Sequence, residues 1–172
     1  VTTNDERIAE QIRLLRHHGL KTKTEIALYG FTSRLHNLQA AILNVKLPHL
    51  QEWIERRREI AAMYEKGLAG VSGVKTPPAP TTDGPYFDVY QNYVLKAEKR
   101  DELFEYVKEK GIETLIKDPI PNHKHKGLGL EHFSLPYTEQ LAKEVISLPM
   151  YPELTDEQVE YVIERVRDFY QK

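Results

Sequence analysis

Cysteine is absent from the 172 residues, so neither a disulfide nor thiolate chemistry is available to the chain. That composition suits a reducing compartment, and the cytoplasm is the expected location. No apolar run approaches the ~20 residues a helix needs to cross a bilayer, so no membrane is expected as a partner. Charge of one sign is not in excess either. The 24 Lys and Arg against 26 Asp and Glu leave a net charge of −2, which gives no electrostatic reason to expect nucleic acid or an anionic lipid surface. A basic stretch followed by an apolar one is missing from the start, so no signal peptide is read there. An initiator methionine is missing too. Val1-Thr2-Thr3 ahead of a helix start looks like the end of a strand, and the expectation is that a longer chain was cut here. Internal repeats and low-complexity segments are also lacking.

What is present is a series of capped, periodic segments. Thr3-Asn4-Asp5-Glu6 offers a capping box with Thr3 at the N-cap, followed by Ile8, Ile12 and Leu15 on one helical face, with Gly19 to end it. A second amphipathic pattern runs through Leu35, Leu38, Ala41, Ile42 and Val45. Pro48 interrupts it, because proline lacks the amide donor and clashes with the preceding turn. The pattern resumes at Leu50, Trp53, Ile54, Ile60, Ala61, Tyr64 and Leu68, with Trp53 and Tyr64 expected in a core or at a domain interface. Glu55-Arg56-Arg57-Arg58-Glu59, inside this helix, reads as a solvated face laced with local ion pairs.

Beyond it, the spacing predicts an extended edge segment at Val74-Lys75-Thr76 and a central strand over residues 87–96. A helix follows over 101–110, then a short strand over 112–117 in which Ile112, Thr114 and Ile116 alternate with Glu113, Leu115 and Lys117. Residues 118–128 form a loop, 138–146 a helix and 147–150 a brief strand. Thr155 and Gln158 make a second capping box ahead of a last helix with Val159, Val162, Ile163, Val166 and Phe169 inward. This order suits a small open sheet covered by helices on one face, an α+β arrangement. Residues 1–47 have no strand of their own to cover. The helices at 5–18 and 35–47 are therefore expected to show apolar faces that lie exposed or are buried by another chain.

The stretch Tyr29–Ala41 is the one on which chemistry centres. Thr32, Ser33 and Arg34 put two hydroxyls and a guanidinium near the start of a helical pattern. Free amides and the helix dipole there favour an anion. The same residues also allow a plainer reading, in which Thr32 or Ser33 only caps the helix and Arg34 is solvated. Phe31 is expected to pack in a core, and His17 and His18 to sit favourably at a helix C-terminus. His123 and His125 lie two apart in a loop without a supporting carboxylate or cysteine framework, so no metal is expected.

Taken together, these segments resemble the C-terminal part of the pyridoxal-phosphate sugar-nucleotide aminotransferases of the DegT/StrS type. Val1–Glu6 is similar to the family's "GAVVTND", Leu14–Gly19 to "LRNHG", and Gly30–Leu35 with Leu38–Ile42 to "GYNSRL…LQAAI". Arg56–Ala61 matches "RRREIA", Pro119–His123 matches "PIPLH" and Leu148–Glu157 matches "LPLYPGLTDEE". The resemblance runs along essentially the whole chain. It implies an α/β protein with the aspartate-aminotransferase fold (fold type I). Residues 1–47 would be left over from the large cofactor-binding domain, and residues 48–172 would form the small α/β domain.

It further implies a homodimer that moves an amino group from glutamate, through pyridoxal 5′-phosphate, to a keto group on a nucleotide-linked sugar. The cofactor-bearing lysine, the aspartate on the pyridine nitrogen and the ring-stacking aromatic would all precede Val1. The chain alone would then be incompetent, with no catalytic residue of its own, and an N-terminal large-domain segment would be its missing partner. Thr32, Ser33 and Arg34 would grip the cofactor phosphate across the dimer interface, and Lys117 and His123 would contact the substrate's phosphates. Three departures stand out. Thr32 replaces the family's usual asparagine, Lys117-Asp118 stands where a histidine is common, and Gln91-Asn92 replaces "HQ". Two other readings are compatible with these residues: a non-catalytic binding or dimerisation module, and a dehydratase of the same family.

Overall fold

The computed structural model describes residues 1–171, and the chain divides into two compact units, Val1–His49 and Leu50–Lys172. In the first, helix α1 spans Glu6–Leu15 and helix α2 spans Asn37–Lys46, followed by a 3₁₀ turn at Leu47–His49. The cap of α1 is Asp5 rather than the expected Thr3. The Asp5 carboxylate accepts from the Ile8 amide at 3.2 Å, while Thr3 Oγ1 accepts from the Asp5 amide at 3.1 Å. Three successive cap-type residues compete here, and the one nearest the helix wins. Pro48 sits inside the 3₁₀ turn that separates α2 from the next helix, as its missing amide requires. Neither α1 nor α2 contains a buried residue, and Leu38 and Val45 on α2 are 74% and 71% exposed. The expected open apolar faces are therefore present.

The second unit holds the core. Helix α3 (Leu50–Leu68) leads to strand β1 (Val74–Lys75). Strand β2 (Tyr93–Ala97), helix α4 (Arg100–Glu109), helix α5 (Pro136–Glu144), strand β3 (Val145–Leu148) and helix α6 (Asp156–Tyr170) follow. The sheet is antiparallel in the order β1-β2-β3, with β1 at the edge and β2 central, as read from sequence. Tyr93, Leu95 and Ala97 point into the core, and the register sets Tyr93 opposite Leu148 and Leu95 opposite Ile146. Period-two alternation thus puts Val94 and Lys96 on the other face. That face is not bare, since the Lys96 ammonium lies over the Tyr137 ring of α5, 5.2 Å from its centroid.

Against the core face lie Ile60, Tyr64 and Leu68 of α3, Leu103 and Val107 of α4, and Val159, Val162 and Val166 of α6. Helices α3 and α6 approach closely at Gly67, where a Cβ would fall 2.6 Å from the Ile163 side chain. The Thr155–Gln158 capping box of α6 forms as read, with Thr155 Oγ1 accepting from the Gln158 amide and Gln158 Oε1 accepting from the Thr155 amide.

Beyond the boundary of α5, where Val145 and Ile146 belong to strand β3 and not to the helix expected over 138–146, three expectations change in this unit. The central strand starts at Tyr93 and not at Phe87, because Tyr90 takes a positive φ of 48° and breaks the extended run. Residues 112–117 keep the predicted alternation, with Ile112 and Thr114 buried and Glu113, Leu115 and Lys117 exposed, but pair with β3 only through a bridge between Leu115 and Ser147. Thirdly, Arg56, Arg57 and Arg58 are not a solvated face. Arg56 bonds the Leu154 carbonyl at 2.7 Å and Asp156 at 2.6 Å. Arg57 Nη1 donates to the carbonyls of Gln91 and Met150 at 3.1 and 3.0 Å, with that of Tyr90 at 3.4 Å. Arg58 donates to the carbonyls of Asp88 and Thr81 and lies over the Phe87 ring. Among the contacts of the described residues given above, the Arg56–Glu59 pair at 3.2 Å fits the local pattern.

Candidate functional site

The turn that carries Thr32, Ser33 and Arg34 is stitched by its backbone to the end of α1. The Phe31 amide donates to the Leu15 carbonyl at 2.7 Å, the His18 amide to the Phe31 carbonyl at 2.9 Å, and the Ser33 amide to the Arg16 carbonyl at 3.0 Å. Gly30 makes this approach feasible, because a Cβ there would fall 2.3 Å from the Gly19 nitrogen. Thr32 Oγ1 lies 3.1 Å from His18 Nε2, on a residue held at a φ of 58°. Ser33 and Arg34 are exposed, and Phe31, expected in a core, is 71% exposed.

One physical expectation fails at this turn. Helix α2 begins at Asn37 with His36 as its N-cap, and the His36 amide donates to Gln39 Oε1 at 3.2 Å. Residues 32–34 therefore lie ahead of the helix, neither capping it nor sharing its free amides, and the amides of Phe31 and Ser33 are already engaged. What the turn offers an anion is side chains: the hydroxyls of Thr32 and Ser33 and the guanidinium of Arg34. Those are the donors a phosphate dianion requires.

Lys117 and His123 belong to the second unit and share one loop. Leu115 exchanges both backbone hydrogen bonds with Ser147, at 3.1 and 2.9 Å, which pins the loop's start. Lys117 is exposed, and Asp118 beside it takes a φ of 52°. Pro119 and Pro121 follow, and a 3₁₀ turn over Asn122–Lys124 carries His123 inward. The His123 side chain is only 5% exposed and lies 3.0 Å from Glu139 Oε1. A carboxylate only accepts, so Nε2 carries the proton.

The same Glu139 oxygen takes the Lys124 ammonium at 3.1 Å and the Leu135 amide at 3.4 Å. These donors, His123 first, hold the Glu139 carboxyl down at about 2, well below its ordinary range. Glu139 was not singled out in the sequence, because its partner lies far along the chain and no helix-period signal links them. Among the described residues, no group of three or more His, Asp or Glu side chains could hold a metal ion.

A cavity of about 730 Å³ opens between residues 111–115, the end of β3 and α6. Asn92, Thr114, Met150 and Tyr151 line it, whereas Lys117 and His123 do not. Thr114 Oγ1 is buried without a hydrogen-bond partner. Arg57, through the Gln91 and Met150 carbonyls, holds the backbone at two sides of this cavity.

The chain also has relatives among known proteins. The chain is 43% identical over 173 residues to the "Pleiotropic regulatory protein" of Geobacillus stearothermophilus, covering 99% of this chain and 46% of that one. It is 38% identical over 176 residues to a dTDP-3-amino-3,4,6-trideoxy-alpha-D-glucose transaminase of Streptomyces venezuelae, covering 100% of this chain and 45% of that one. Among solved structures, S. venezuelae DesV in complex with a ketimine intermediate superposes with a TM-score of 0.89 at 36% identity, covering 99% of this chain and 46% of that one. The chain thus spans about half the length of the curated relatives it matches. The model of the DegT/DnrJ/EryC1/StrS aminotransferase family matches residues 1–167, and the chain belongs to that family.

Proposed function

We propose that this chain is the C-terminal part of a pyridoxal-phosphate aminotransferase that moves an amino group from glutamate to a keto group of a nucleotide-linked sugar. The observation that carries the reading is family membership over residues 1–167 together with coverage of only about half of each relative. In this reading residues 1–47 belong to the large domain and residues 48–172 form the small one, and the cofactor-bearing lysine lies in the preceding part of the polypeptide. The open apolar faces of α1 and α2 support burial in a homodimer together with that preceding segment.

Bound cofactor would act as an electron sink at the amino-bearing carbon. Towards it, the chain supplies anchoring. Thr32 and Ser33 donate hydroxyl hydrogen bonds to its phosphate, and Arg34 neutralises the charge across the dimer interface. Threonine reaches less far than the asparagine usual in the family, and its single hydroxyl proton is free for the phosphate when His18 Nε2, 3.1 Å away, donates to Oγ1. Towards the substrate, the Lys117 ammonium serves as a point charge for the nucleotide's phosphates, and His123 forms the base of the same loop.

The test is on the full-length polypeptide: visible absorbance of bound cofactor, then amine formation from glutamate and keto-sugar nucleotides linked to dTDP or UDP. Loss of water from the sugar without amine transfer would turn the reading to a dehydratase. Absence of cofactor binding would turn it to a non-catalytic module. Arg34→Ala is expected to weaken retention of the cofactor on dialysis.

A further inference from the structure

We propose that Glu139 is a positioning residue for substrate binding, fixing through His123 the loop that carries Lys117. The inference rests on the reading of Lys117 as a contact to the nucleotide's phosphates. His123 itself has little surface to offer a ligand, being buried with its Nε2–H committed to Glu139 at 3.0 Å. Lys117, by contrast, is exposed and has no carboxylate partner among the described residues.

The loop between them is short and stiff. Two of the five intervening residues, Pro119 and Pro121, have φ locked by their rings. The 3₁₀ turn after Pro121 is closed by the Lys124 amide on the Pro121 carbonyl at 2.8 Å. At its other end the Leu115–Ser147 bridge ties the chain to β3. Lys117 is thus suspended between two anchors, one of backbone and one of side chains that converge on Glu139.

Glu139 is suited to be that anchor. It sits on α5, outside the loop, and its Oε1 gathers His123, Lys124 and the Leu135 amide. Lys124 is half-exposed and adds little to an ion pair in water. The His123 contact is the buried one, and it is therefore the one whose loss frees the loop. A long flexible lysine gains phosphate affinity only when its backbone is held, because ordering it costs entropy at each binding event.

The experiment uses the full-length enzyme with cofactor bound, titrated with dTDP or UDP by calorimetry and assayed for KM with each substrate. Glu139→Ala is expected to weaken nucleotide binding and raise the sugar-nucleotide KM by about tenfold, the scale of one hydrogen bond to a charged group, while the KM for glutamate moves far less. Glu139→Gln should restore binding, since its amide oxygen still accepts from Nε2–H, and Lys124→Ala should be nearly silent. Lys117→Ala combined with Glu139→Ala should be no worse than Lys117→Ala alone.

If Lys117→Ala weakens nucleotide binding and Glu139→Ala does not, the positioning role is overturned and the reading of Lys117 stands. If Lys117→Ala has no effect, the reading of Lys117 falls and the inference with it. Equal changes in both KM values for Glu139→Ala would mark a merely structural role and overturn the proposal. Should Glu139→Ala fail to fold, Glu139→Asp, which withdraws the oxygen by one methylene, provides the same comparison.

Discussion

Val1–His49 and Leu50–Lys172 are built on different principles. Every hydrophobic side chain of the buried core belongs to the second unit, where α3, α4 and α6 close over one face of the sheet. The first has helices of comparable amphipathicity but buries no residue of either. Its order comes from backbone bonds between α1 and the turn at residues 31–33, made feasible by glycine at positions 19 and 30. An amphipathic pattern therefore reports that a face needs covering and says nothing of where the cover comes from. In one unit the cover lies within the same segment of chain. In the other, in the reading proposed above, it comes from the rest of the polypeptide and its dimer partner.

The comparison breaks if core and face respond alike to truncation. Leu95→Ala, at a side chain 1% exposed, is expected to cost about 2–5 kcal/mol by urea denaturation, as large-to-small changes in packed cores do. Leu38→Ala, at 74% exposure, should stay within about 0.5 kcal/mol in this chain. In the full-length polypeptide the same Leu38 change should become costly. Equal effects in both settings would mean that nothing covers α2.

Next in size is Arg57→Ala, which leaves backbone carbonyls at 90, 91 and 150 without their donor and should cost about 1–3 kcal/mol. Hydrogen exchange should show faster turnover over residues 88–92, and Arg57→Lys should not rescue it, because one ammonium cannot copy the guanidinium fork. Smaller still, Thr155→Ala should cost about 1 kcal/mol through loss of the α6 cap. Asp5→Ala removes an equivalent cap from α1, yet should leave the unfolding midpoint of the second unit unmoved, since all the residues of that unit's core are its own.

The smallest effect is expected at low pH. Glu139 is held at about 2, below its value in an unfolded chain, so its contribution to stability is complete above the ordinary carboxylate range and is lost as pH falls toward about 2. Acid titration should therefore bring the stabilities of the parent and Glu139→Gln together as pH drops. A constant gap between them would remove the His123–Glu139 contact as its cause.

Local signals carried much of the fold. The Thr155–Gln158 box, the turn at Pro48, the edge position of β1 and the alternation over residues 112–117 all depend on neighbours a few residues away, which is the range a pattern can see. The misreadings share a different cause. Arg56–Arg58 look like surface ion-pair partners because Glu55 and Glu59 flank them. Apart from the Arg56 contacts to Glu59 and Asp156, their partners are carbonyls some 20 to 100 residues distant, and carbonyls leave no trace in a sequence. Tyr90 likewise looks like a strand residue, and its positive φ follows from a loop whose carbonyls turn toward α3 instead of a ladder. At the candidate site, Thr32–Arg34 and Lys117 were legible as donors. Glu139 was not, and neither was the displacement of Thr32–Arg34 from the helix start, because a cap formed by His36 and Gln39 is chemically less conspicuous than one formed by Thr32 or Ser33.

The arginine run of α3 also bears on how such a scaffold changes over time. Arg57 and Arg58 hold residues 81–91 and 150 by main-chain oxygens, which every amino acid possesses. Apart from the stacking of Arg58 on Phe87, the grip is thus indifferent to which side chains those loops display. Positions such as Asn92 and Tyr151 at the cavity can be exchanged without loosening the mounting that presents them. A helix that anchors its loops in this way lets the lining of the cavity be redrawn one substitution at a time while the frame stays constant.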